Sequence, residues 1–161
     1  MHRTLAASLV LAAALAAGAC QPITGSLPRD GAPDSFEFRT SGYFTSTRTV
    51  QVRGDTVVLT ERSWEGEAAP EVRVVPTAQA WQTFWAAVRA SGVRQWGGRY
   101  VDTSVMDGGG WALEMRAGGV RVSAHGANAW PDAWGRKRTG DLTPAYHAFA
   151  DAVGALVAPA Q

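Results

Sequence analysis

Trp81, Phe84, Trp85 and Val88 stand at positions i, i+3, i+4 and i+7 of one stretch. That spacing places three aromatic rings and a valine on a single stripe of a helix. So large an apolar stripe must be covered by other elements. Cys20 is the only cysteine in the 161-residue chain, so no intrachain disulfide can take the place of a packed core. Thr77 is a good N-cap and Gly92 suits the C-terminal end, which predicts a helix over 77–91.

The partner of that stripe is readable upstream. Phe36 and Phe38 alternate with Glu37 and Arg39, the period of a half-buried strand. Val50 and Val52 share one face, Gly54-Asp55 is a two-residue hairpin signal, and Val57 and Leu59 share a face on the return. Val72 and Val74 mark a short strand that Pro76 closes. Downstream, Trp111, Leu113 and Met115 alternate with Ala112, Glu114 and Arg116, Gly118-Gly119 turns the chain, and Val120 and Val122 continue a second strand. Residues 93–100 read as an irregular aromatic return and 126–138 as a loop. Pro144 opens a last helix behind Thr143, with Tyr146, Phe149, Val153 and Leu156 on one side. The predicted fold is a single small α+β domain over 36–158, an antiparallel sheet of about six strands with both helices on one face.

The chain before residue 36 has a different character. Arg3 is followed by an apolar run over 5–16, whose roughly 18 Å as a helix is too short for a bilayer core of about 30 Å. Basic start, apolar middle and small residues Ala17, Gly18 and Ala19 make 1–19 a secretory signal. Residues 15–20 resemble the signals of bacterial lipoproteins, with Leu15 further from the cysteine than in their usual pattern. The resemblance implies that 1–19 is removed and that Cys20 becomes a lipidated N-terminus carrying more than one acyl chain, as stable anchoring needs. Gln21, where an Asp would favour inner-membrane retention, implies the periplasmic face of the outer membrane. Residues 20–35, rich in proline and glycine, read as the lipidated cysteine and a flexible tether.

Loss of Arg3 leaves 14 basic residues of 15, which balance the 14 acidic ones. This argues against a nucleic-acid partner. Lys137 is the only lysine. His125 and His147 stand alone without ligand spacing, which gives no reason to expect a metal or other cofactor. No G-x-S-x-G elbow surrounds a serine, and Ser123 and His125, two apart on a strand, are about 6–7 Å from each other, too far for direct proton transfer. Arg53-Gly54-Asp55 is good turn chemistry. Asp107, Glu114 and Asp132 are the acids that a carboxylate-based hydrolase would use.

Seven tryptophans are the compositional outlier. Those near the C-terminal half, with amides and acids around them, offer two readings: indoles plugging the edge of a small core, or a surface that stacks on a sugar ring or a partner protein. The second reading selects Trp130, Asn128, Trp134, His125 and Asp107 as binding residues. Over 81–149 the chain is similar to small uncharacterised bacterial lipoproteins. The similarity lies in a Trp/Phe helix, Trp96 and Tyr100, an Asp-Gly turn before Trp111, and a Gly-x-Asn-x-aromatic-Pro loop at 126–131. It implies a structural pattern and no catalytic residue. The expectation is a non-enzymatic lipoprotein of the cell envelope. It would be membrane-bound through Cys20 and would bind an envelope protein or glycan. A periplasmic binder of a small ligand or carbohydrate and a carboxylate hydrolase are the alternatives.

Overall fold

Thr77 accepts a hydrogen bond at its hydroxyl from the Ala80 amide (3.1 Å), which starts helix α1, Ala78–Ala90. Thr143 does the same for Tyr146 (3.1 Å) and starts α2, Pro144–Val157. Both helices lie as the apolar spacing predicts, with Trp81, Phe84, Trp85 and Val88 buried on α1 and Tyr146, Phe149, Val153, Leu156 and Val157 on α2. The computed structural model describes residues 25–42 and 45–158. The signal over 1–19 and the lipidation site Cys20 lie outside the described residues.

The strands in chain order are β1 (Ser35–Ser41), β2 (Thr47–Arg53), β3 (Thr56–Arg62), β4 (Val72–Val74), β5 (Gly98–Val101), β6 (Gly110–Ala117), β7 (Val120–Ala127), β8 (Ala129–Pro131) and β9 (Lys137–Thr139). Seven form one sheet in the order β4-β3-β2-β1-β6-β7-β5, and β8-β9 is a separate pair. All neighbours in the large sheet are antiparallel except β5, which runs parallel to β7. The described residues form a single α+β domain.

Both helices cover the same face of the sheet. Phe36 on β1 meets Phe84 of α1 edge-on at 5.8 Å and Phe149 of α2 at 6.5 Å, and Phe38 meets Phe149 edge-on at 5.1 Å. Such ring pairs each contribute about 0.5–1.5 kcal/mol beyond the area they bury. The aromatic layer continues through Trp96, Tyr100 and Trp111 around Tyr146.

Three strands differ from the sequence reading. β5 lies in the predicted irregular return, and β8 and β9 lie in the predicted loop. The sheet therefore has seven strands where about six were expected, and one pairing is parallel.

The described part of the predicted tether also differs. Residues 25–34 lie against the domain. Leu27 and Ala32 pack on the core and Pro33 is buried. The fully buried Trp85 donates its indole N–H to the Gly31 carbonyl (2.8 Å), and Arg89 donates to the Pro28 carbonyl (2.6 Å). A Cβ on Gly25 would come within 2.4 Å of the Gly118 carbonyl oxygen, so the segment passes the β6–β7 turn at a distance only glycine allows. The prolines and glycines that read as spacer residues also let an irregular segment follow a surface and present carbonyls to buried donors.

Candidate functional site

The five residues proposed for binding do not form one site. Asn128 is the only non-glycine residue with positive φ among the described residues (56°), a conformation asparagine tolerates better than most. Its amide N–H donates to the Gly109 carbonyl (2.9 Å) and its side chain to the Val105 carbonyl (3.1 Å). It therefore clamps the 102–109 loop, in which Asp107 is exposed. Trp130 is half-buried on β8, 4.7 Å from the Tyr146 ring, and its indole N–H donates to the Gly140 carbonyl (3.2 Å). Trp134 sits at the tip of the β8–β9 hairpin and is 76 % exposed. His125 lies on the opposite side of the sheet from the helices.

Asp132 holds the hairpin tip together. Its carboxylate accepts from the Trp134 amide (2.9 Å), the Arg136 amide (3.0 Å) and the Arg136 guanidinium (2.8 Å), and Arg138 lies at 3.2 Å. Partial desolvation opposes ionisation, but the two amides and the Arg136 charge outweigh it and hold the carboxyl at about 2. With its oxygens engaged, this group is a structural anchor for a turn. Glu114 projects from the open sheet face and accepts from the Ser123 hydroxyl. The three acids of the hydrolase reading thus fall in three places: an exposed loop, a hairpin on the helix side, and the open face.

The surface that the helices leave uncovered is more informative. Strand register puts Arg39 of β1, Ala112 of β6, His125 of β7 and Arg99 of β5 in one row across the sheet. A neighbouring row carries Gln51, Glu37, Glu114 and Ser123. A third carries Ser35, Arg116 and Arg121, with Arg53 beside them on β2. The small residues Gly110 and Ala112, with Ser41, leave a shallow depression of about 380 Å³ bordered by Arg39, Glu114 and His125.

At the β4 edge of this face Arg73 pairs with Glu71 (2.7 Å), but the charges on β1, β6, β7 and β5 are not cancelled in this way. Glu37 accepts from Gln51 (2.8 Å) and Glu114 from Ser123, so both acids take neutral donors. Among the described residues no ion pair engages Arg39, Arg99, Arg116 or Arg121. An exposed sheet face with arginines in reach of one another suits an acidic partner, since guanidinium groups take carboxylates or phosphates in a bidentate grip. No grouping of three or more metal-ligating side chains occurs among the described residues. No protein-family model, curated protein or solved structure matches the chain.

The open face escaped sequence reading because net charge hides segregation. Its signal was present in the alternation itself: arginines at 39, 53, 99, 116 and 121 all occupy outward positions of strands.

Two outcomes follow from the packing. Trp130→Ala is expected to lower stability by about 1–3 kcal/mol, through the lost ring contact with Tyr146 and the freed Gly140 carbonyl, whereas Trp134→Ala should stay within about 0.5 kcal/mol. Urea denaturation of both variants measures this, and equal effects would contradict the assignment of Trp130 to the core edge. The Asp132 hairpin should also be acid-sensitive in one direction. A carboxyl held at about 2 when folded, against an unfolded value near 3.9, stabilises the tip fully at higher pH and loses that contribution as pH falls through about 2. Protection factors of the Trp134 and Arg136 amides, that is exchange rates corrected for the intrinsic pH dependence of amide exchange, should hold from pH 6 downward and fall only at the acid end, and Asp132→Asn should remove that fall.

Proposed function

We propose that this protein is a lipid-anchored lipoprotein of the bacterial cell envelope whose domain binds an acidic envelope component through its open sheet face. The observation that carries the binding reading is the row Arg39, Ala112, His125, Arg99: two guanidinium groups lie in one row with an imidazole beside a shallow depression, on a face that no element covers among the described residues. The anchor reading is carried by Cys20, preceded by a basic start, an apolar run and small residues.

The two readings support one another physically. A protein held at a membrane meets its partner at high local concentration, so a shallow charged surface of modest affinity suffices. The tryptophans contribute indirectly: most of their indole groups brace loops, and Trp64 and Trp134 are the exposed rings among the described residues.

Growth of the native host with radioactive palmitate tests the anchor. The wild-type chain should be labelled, and Cys20→Ala should abolish labelling and move the protein to the soluble fraction; continued labelling would overturn it. A photo-crosslinking residue at position 125 tests the surface in intact cells. Adducts should form there and fall severalfold when Arg39 and Arg99 are both replaced by Glu. Adducts that persist in the double variant would place the contact elsewhere.

A further inference from the structure

The leader segment ends at a defined corner of the domain. Gly25 lies against Gly118, Gly119 and Val120, the turn between β6 and β7. Ser35, Arg116 and Arg121 belong to the open-face row nearest that turn, and the β2–β3 turn at Gly54-Asp55 closes the same end of the sheet. From Cys20 to Gly25 is five residues, which reach no more than about 18 Å even when fully extended. With 25–34 held by Trp85 and Arg89, the slack between a lipid on Cys20 and the folded domain is shorter than the domain itself.

We infer that the domain sits on the membrane in a fixed orientation, with the β6–β7 turn end resting on anionic lipid headgroups and the 102–109 loop end facing away. This inference rests on the anchor proposed above. The charges at that end are Arg29, Arg53, Arg89, Arg116 and Arg121 against Asp30, Asp34 and Asp55. Arg89 is occupied with the Pro28 carbonyl and Arg53 with Gln51, while Arg116 and Arg121, paired across the strands, have no acidic partner among the described residues. Two adjacent guanidinium groups that repel one another gain from a shared phosphate. A negatively charged leaflet attracts basic residues only within about a Debye length of its surface. The short leash brings this pair within that range and keeps it there.

The orientation is testable with the full lipidated protein reconstituted in vesicles. Two neutral, exposed positions mark the two ends: Ser35 in the Arg116 row, and Met106, 97 % exposed in the 102–109 loop. They lie at opposite ends of β1, since Ser41 pairs with Gly110 where that loop enters β6; six residues along a strand separate them by about 20 Å. Ser35→Cys and Met106→Cys, each carrying a fluorophore, would be mixed into vesicles containing 30 % phosphatidylglycerol and a headgroup-level quencher. The Ser35 probe should be quenched at least threefold more than the Met106 probe. That difference should shrink by half or more in R116E/R121E, or in vesicles of phosphatidylcholine alone. Equal quenching at both sites, in protein that still floats with the vesicles, overturns the orientation and leaves the anchor standing. Equal quenching in R116E/R121E and the parent overturns the role of the arginine pair. Failure of the parent to float with vesicles at all overturns the anchor.

Discussion

The fold depends on indole N–H groups that leave a dry aromatic layer to meet loop carbonyls. Trp85 reaches Gly31, Trp96 reaches Asp132, Trp111 reaches Ala129 and Trp130 reaches Gly140, all at 2.8–3.2 Å. A buried indole without an acceptor would be costly, and a loop carbonyl without a donor likewise. Each bond therefore solves two problems together. It satisfies a large ring that fills the core, and it holds down a segment that has few apolar side chains of its own. The leader, the β7–β8 connection, the β8–β9 hairpin and the approach to α2 are all held in this way. Most of the tryptophans are thus architectural devices.

Much of this was legible in the sequence. The helix stripe at 81, 84, 85 and 88, the alternation of Phe36 and Phe38, and both tight hairpins were readable because each has a buried face and a wet face, and burial imposes a period. β5, β8 and β9 were not. Each has only three or four residues, too few for a period to register, and each is held by tertiary contacts: β5 by parallel pairing to β7, and β8 by Trp111 and Trp130. The leader was misread for a related reason. Its hydrogen bonds to the domain are made by backbone carbonyls, which carry no signal in the residue types, and its packed side chains, Leu27 and Ala32, are too few to set a period.

The candidate site was legible only in part. His125 belongs to it, but Asn128 serves a left-handed turn and Trp130 serves the core edge, although both are residue types common in binding sites. Near-equal numbers of basic and acidic residues in the sequence, 15 and 14, argue against a basic field. Strand register reverses that impression by collecting Arg39, Arg53, Arg99, Arg116 and Arg121 on one side of the sheet and engaging Glu37 and Glu114 with neutral donors. Segregation of charge is a property of the fold, and it appears once the pairing of strands is known.

Exchange of the indole protons with deuterated solvent, followed by two-dimensional nitrogen–proton NMR, tests this account most directly. The Nε1 protons of Trp85, Trp96 and Trp111 should exchange slowly, at least a hundredfold more slowly than that of Trp134, because each is buried against a carbonyl while Trp134 is in solvent. A Trp85 indole proton that exchanges as fast as that of Trp134 would mean that the segment over 25–34 is not held, and the pinned architecture would be wrong.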